Sequence, residues 1–194
     1  MQSPRQFVGL TAGVSPNIDF LRNSELEVNR GVKVDEFFRT NIPDVYAIGD
    51  CAEFEKEPAP DRRTIEQVWY TGRMHGETLA YNLCNKPVPY RPGVWFNSAK
   101  FLDIEYQTYG TVTANWEETQ IKSFYWEHSS GKVCFRMLMN SAGQILGINN
   151  FGFRLRHEMM DRAIREKWSS GKVMAGSGAR RRGGRGDPDA LSRR

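Results

Sequence analysis

The sequence predicts an α/β segment followed by a smaller α+β domain with antiparallel strands, and three observations carry that prediction. A short apolar run, residues 45–48, lies between a turn and a Gly-Asp pair, as expected of a central parallel strand covered on both faces. Ile65, Val68, Trp69, Leu79, Ala80 and Leu83 then recur at helical spacing. Beyond Pro92, β-signals dominate: residues 121–128, 132–140 and 145–151 read as strands separated by Ser129-Ser-Gly131 and Ser141-Ala-Gly143, an antiparallel meander. A chain of 194 residues suffices for one or two domains with a substantial interior.

Taken in order, residues 7–12 read as the end of a strand, and Ser15-Pro16-Asn17 as a turn into a connection where Ile18, Phe20, Leu21 and Leu26 can pack. Val32 and Val34 alternate with Lys33 and Asp35, a short half-buried strand. Residues 40–43 turn the chain into the 45–48 run, whose carboxyl end delivers Gly49 and Asp50. Open α/β sheets bind ligands at that end. Gly49 lets a ligand approach the backbone, and Asp50 can accept hydrogen bonds from sugar-like hydroxyls. A Gly-Asp pair standing alone reads more simply as a turn closing a buried strand.

Residues 53–63, with two prolines and several charges, read as an exposed loop. Thr64-Ile-Glu-Gln67 fits a capping box and predicts a helix start at that point, with Gly72 and Gly76 one turn apart to admit a neighbouring backbone or a ligand. Trp69 lines a ligand pocket or is core, and His75 reads as a packing or surface residue. Residues 87–92 form a linker. Trp95, Phe96, Phe101 and Tyr106 are read first as core, with a cofactor edge or a subunit contact as alternatives. Residues 155–168 read as a closing helix with Glu158/Arg162 and Asp161/Arg165 as i,i+4 pairs.

The formal charge of +4 is local: residues 169–194 hold seven Lys/Arg against two Asp/Glu, which leaves the body nearly neutral. Residues 171–194 are Gly- and Arg-rich with almost no large apolar side chains, and predict a disordered basic tail. Its arginines could touch RNA or acidic lipid, but no aromatics interleave for base stacking, which argues against nucleic acid as a partner. Cys51, Cys84 and Cys134 lack the spacing of a zinc site or redox dithiol, so free thiols in a reducing cytoplasm and no metal site are expected. No apolar run approaches a membrane span, and residues 1–13 lack the basic start and apolar core of a signal peptide.

Gly13-Val-Ser-Pro-Asn17, Gly31-Val-Lys-Val-Asp35, Thr40, Ile42-Pro43 and Tyr46-Ala-Ile-Gly-Asp50 occur in an order and spacing that closely resemble the second flavin-binding segment of the FAD-dependent pyridine nucleotide-disulfide oxidoreductases. That group holds rubredoxin, ferredoxin and nitrite reductases and apoptosis-inducing factor. The resemblance covers residues 7–83 well and the rest weakly. It implies the C-terminal portion of a flavoprotein with two dinucleotide-binding domains: residues 1–88 ending the NAD(P) domain and completing the FAD domain, 89–168 an interface-like domain, 169–194 the tail. The family's two Gly-x-Gly-x-x-Gly turns, where helix amides hold a pyrophosphate, do not occur in this sequence.

The resemblance further implies cofactor-binding roles for Gly49, Asp50, Glu66, Gln67, Val68 and Trp69. Asp50 would bind the ribityl or phosphate region of FAD, and the helix over residues 69–77 would point its N-terminus at the flavin ring. Amides near Glu66, Gln67 and Val68 would then stabilise negative charge on the ring's pyrimidine side. Glutathione-reductase-like members carry a His-Pro and a Glu in the interface domain, whereas here His128 precedes Ser129 and His157 precedes Glu158. That points to the electron-transferring branch: NAD(P)H to FAD, then to a ferredoxin- or rubredoxin-type protein or a small acceptor. No residue of this chain stands out as catalytic. Alone, the chain is expected to bind FAD poorly and to be inactive. The alternative is a non-catalytic module derived from such a flavoprotein, forming a homodimer through residues 93–168.

Overall fold

The computed structural model describes residues 13–116 and 120–176, arranged as two compact units that divide between Trp95 and Phe96. The expected strand at residues 7–12 and most of the basic tail lie outside the described residues.

The first unit is built on a two-stranded parallel pair, β1 (Val32–Val34) and β2 (Ala52–Phe54), in register Val32 to Ala52 and Val34 to Phe54. Helix α1 (Trp69–Leu83) completes it. Val34, Phe38, Ala52, Phe54 and Tyr90 form the core, with Ala47, Met74 and Leu79 packed against it. Ile18 is buried as expected, whereas Phe20 is 77% exposed, because its short 3-10 turn buries no side chain.

Three expectations for this unit are overturned. Residues 45–48 are not a central strand: only Tyr46 forms a bridge, to Arg39, and Ile48 is 40% exposed. The backbone groups of the run are satisfied by the preceding loop instead, with the Thr40 amide and hydroxyl both donating to the Val45 carbonyl (3.0 and 2.9 Å) and the Ala47 amide to Phe38 (3.2 Å). Residues 53–63 are not a wholly exposed loop either, since Glu53 and Arg62 are both buried. Glu53 accepts hydrogen bonds from the amides of Arg30 (2.9 Å) and Gly31 (2.8 Å) and from the Asn29 side chain (3.0 Å), stitching the approach to β1 onto β2.

The third concerns the capping box. Helix α1 begins at Trp69 with Val68 as its cap and no side-chain cap bond. The motif fails because its parts are engaged elsewhere. Thr64 lies in a bend beside β2, where its carbonyl accepts the Phe54 amide (2.9 Å), while Glu66 is drawn into an ion pair with Arg62.

The second unit is a five-stranded antiparallel sheet: β3 (Phe96–Phe101), β4 (Ile104–Gly110), β5 (Lys122–Glu127), β6 (Cys134–Met139) and β7 (Ile145–Phe151), in spatial order β3-β4-β7-β6-β5. The expected meander is β5-β6-β7. The sequence reading did not resolve the β3–β4 hairpin, whose Lys100 to Glu105 segment carries a Leu102 at φ 52° and gave no glycine turn. Helix α2 (His157–Arg165) packs Met160 and Ala163 onto Tyr109, Phe135, Met137, Ile145 and Ile148. Buried Gln107 accepts the Leu155 amide (2.6 Å), fixing the chain just before α2.

Asp161 and Arg165 pair as expected (2.7 Å), but Arg162 pairs with Glu166 (2.8 Å) rather than with Glu158. The tail expectation also needs correcting at its start. Residues Ser170–Gly176 form a short helix, α3, and Val173 is 1% exposed within the sheet-helix core. One apolar side chain at the right register is enough to anchor a turn that composition alone reads as unstructured.

Candidate functional site: a glycine-aspartate turn on the first turn of a helix

Gly49, Asp50 and Cys51 form one turn of 3-10 helix, entered from an extended Ile48 and left through an extended Ala52 that starts β2. Gly49 has φ +74°, which an L side chain rarely adopts, so the turn requires glycine there. Opposite it stands Gly72 in the first turn of α1. A Cβ at Gly72 would lie 3.9 Å from the Gly49 Cα, so the turn and the helix run close together where neither residue has a side chain. The expectation that Gly72 admits a close neighbour therefore holds, while Gly76 has open space around it.

A second tie runs from the Gly49 amide, which donates to His75 Nδ1 at 3.1 Å. His75 is 1% exposed, a packing residue as expected, but with a polar function that its sequence context did not reveal. Burial and the nearby Arg62 cation push its pKa down to about 4.

Asp50 itself is exposed, and its carboxylate has no partner among the described residues. It projects from a turn pinned to the positive end of a 15-residue helix, where negative charge is favoured. Ile48, immediately before this turn, and Trp69, the first residue of α1, are 40% and 70% exposed. Trp69 is therefore not core; its ring meets Tyr70 edge-on at 5.3 Å.

The remaining sequence-derived candidates fall differently. Glu66 is buried, and its carboxylate is gripped by the Arg62 guanidinium through two nitrogens, with Thr71 Oγ1 donating to it at 3.3 Å. Its side chain is structural. Arg62 also donates to the Gly93 carbonyl (3.0 Å) and stands 5.2 Å from the Trp95 ring centroid. Gln67 and Val68 are half-buried and precede the helix; Val68 caps it by accepting the Gly72 amide at 3.1 Å. The leading end of the helix is thus displaced from residues 66–68 to residues 69–71. Tyr90, buried behind this group, has its hydroxyl pKa raised to about 12, chiefly by burial and then by Glu66.

A solved FAD-dependent pyridine nucleotide-disulphide oxidoreductase from Desulfovibrio vulgaris matches 87% of this chain with TM-score 0.65 at 20% identity, which shows the shared fold. That match spans 44% of the other chain.

Residues 5–76 match the family described as pyridine nucleotide-disulphide oxidoreductase. Among curated relatives, the ferredoxin reductase subunit of a 5,5'-dehydrodivanillate O-demethylase from Sphingobium is 33% identical over 58% of this chain. An NADH-rubredoxin oxidoreductase from Clostridium acetobutylicum is 35% identical over 40% of it. The chain spans 27% and 19% of the lengths of these two relatives.

Proposed function

We propose that this chain forms one wall of the FAD site of an NAD(P)H oxidoreductase that passes electrons to a ferredoxin- or rubredoxin-type protein or a small acceptor. The observation that carries the reading is the Asp50 carboxylate, exposed and without a partner among the described residues, on a glycine turn tied to α1 through the Gly49 amide and His75. The names of the relatives, ferredoxin reductase and NADH-rubredoxin oxidoreductase, support the choice of acceptor class.

The residues fit such a group. Asp50 accepts hydrogen bonds from the hydroxyls of the cofactor's sugar-alcohol chain, a role for which a solvated, otherwise uncommitted carboxylate is suited. The start of α1 favours negative charge placed beside it, and the group facing the ring system is Trp69 to Thr71 rather than Glu66 to Val68. When bound, FAD supplies hydride acceptance from nicotinamide and onward electron transfer. The protein's part is to hold, orient and tune it.

Flavin fluorescence during FAD titration tests the assignment. Binding by this chain is expected to be weak, because neither Gly-x-Gly-x-x-Gly turn that would hold a pyrophosphate occurs in these residues. Asp50→Ala should weaken it by a further ten- to hundredfold, the range for losing a charged acceptor, about 1.5–3 kcal/mol. Equal affinity in the variant would remove Asp50 from the site.

A second reading, a homodimer through the second unit, is favoured by one observation. Phe101 stacks on Tyr106 (6.0 Å), which in turn meets Phe151 (5.8 Å), and Phe101, Ile104 and Phe151 remain exposed on that face. Light scattering that returns a monomer mass at high concentration would exclude it.

A further inference from the structure

His75 is a buried titratable group to which the flavin reading assigns no part. Its ring is enclosed by Phe38, Phe54 and Tyr90, with centroids 4.8, 5.5 and 4.7 Å away. Enclosure by aromatic rings would suit a leucine or a phenylalanine equally, and without the cost of burying a polar ring. What an apolar residue cannot supply is the acceptor at Nδ1, 3.1 Å from the Gly49 amide.

That amide needs an acceptor. It belongs to the first residue of the 3-10 turn, preceded by an extended residue and lacking a side-chain cap, so no bond within the turn satisfies it. Nδ1 accepts only if it carries no proton, which places the ring proton of the neutral imidazole on Nε2. Nε2 is buried with no partner among the described residues, so nothing opposite competes for the tautomer. Desolvation and Arg62 disfavour the doubly protonated ring.

We propose that His75 is a positioning residue: its neutral imidazole clamps the Gly49 amide and thereby fixes the direction in which Asp50 presents its carboxylate to the cofactor. The cofactor half of this statement rests on the flavin reading above; the clamp itself does not. The choice of residue has a physical reason. An aspartate or glutamate would also accept the amide, but would place a second negative charge beside a site meant for a phosphate-bearing anion. Imidazole accepts without adding charge.

Two variants and three readouts test it. Asparagine keeps an acceptor near the position of Nδ1, and leucine keeps the volume without one. Ring nitrogen NMR of the wild-type chain at neutral pH should show Nε2 protonated and Nδ1 bare. Hydrogen exchange at the Gly49 amide should quicken at least tenfold in His75→Leu and return most of the way in His75→Asn. FAD affinity should follow the same order, with at least a tenfold loss in His75→Leu.

A proton on Nδ1 would overturn the clamp even if the leucine variant did not fold. So would leucine and asparagine variants that are equally impaired, or a leucine variant whose Gly49 exchange and FAD affinity are unchanged. A wild-type chain that shows the tautomer and the exchange order but no FAD response would leave the clamp standing and refute the flavin reading.

Discussion

His75 and Asp50 act on the two sides of one glycine, the first by giving up charge and the second by keeping it exposed. The His75 imidazole titrates near 4 in the folded chain against 6.5 ordinarily. Above pH 6.5 the ring is neutral in both folded and unfolded states, and the stability linked to it is fully present. Between 6.5 and 4 the unfolded chain takes up the proton that the folded chain refuses, so stability falls with pH by up to about 3 kcal/mol and loses nothing more below 4. The charged group facing the ring is Arg62, and Tyr90 stays neutral throughout, so neither reverses the sign. Denaturant unfolding between pH 7 and 4 should show this slope in the wild type and lack it in His75→Asn.

Arg62 and Glu66, each about 5% exposed, make the second prediction at this scale. Arg62→Met alone strands the Glu66 carboxylate and should cost about 3–5 kcal/mol, whereas Arg62→Met with Glu66→Leu should recover most of it. Denaturant melts of the two variants decide. Of these residues, Gly49 and Asp50 were legible as a turn after an apolar run, and the longer run of motifs before them singled them out as candidates. His75, Glu53, Arg62 and Glu66 were not, since a sequence shows a charge or a ring but not the partner that buries it. A signal existed only for Glu53, flanked by two apolar residues in Ala52-Glu53-Phe54.

The elements divide along the same line. Strands β1, β5, β6 and β7 and the helices α1 and α2 were visible as periodicity, although α1 buries Thr71 and His75 and leaves Trp69 and Leu83 exposed. The start of α1 was misplaced by four residues, since the capping motif competes with a buried ion pair and with the edge of β2 for the same side chains and backbone. Residues 45–48 were apolar enough for a strand, but apolarity does not supply ladder partners, and Thr40 and Phe38 took the backbone bonds first. The β3–β4 hairpin lacked turn residues, and α3 sets a single buried apolar side chain, Val173, into the core.

Close backbone approaches make the testable claims for elements. A Cβ at Gly147 in β7 would sit 2.2 Å from the Thr111 carbonyl oxygen, and one at Gly31, just before β1, would sit 2.7 Å from that of Cys51. In both cases the clash is with main chain and cannot be relieved by a rotamer change. Gly147→Ala should therefore lower stability by more than about 2 kcal/mol in thermal unfolding, a large effect for one added methyl. Gly31→Ala should do the same while loosening the β1–β2 pairing, read as faster amide exchange at Glu55, whose amide donates to the Val34 carbonyl.

At the scale of the molecule, the two units have separate cores, one assembled from a parallel pair and a helix, the other from an antiparallel sheet and helices. The family resemblance was legible across residues 7–83 because its motifs lie close together in sequence, and the family match falls on residues 5–76. The second unit gave the fold class but few matching residues, since an antiparallel sheet is specified by alternation that many sequences satisfy. Among the described residues Cys51, Cys84 and Cys134 are free thiols, and no helix is long and apolar enough to cross a membrane.

The central claim is spatial: the Gly49–Cys51 turn and the first turn of α1 together face a flavin. An amide-resolved FAD titration of the chain tests it most directly. The account predicts saturable shifts concentrated at Gly49, Asp50 and Cys51 and at Trp69, Tyr70 and Thr71, and their loss in Asp50→Ala. Shifts located elsewhere, or the same shifts in Asp50→Ala, would contradict it.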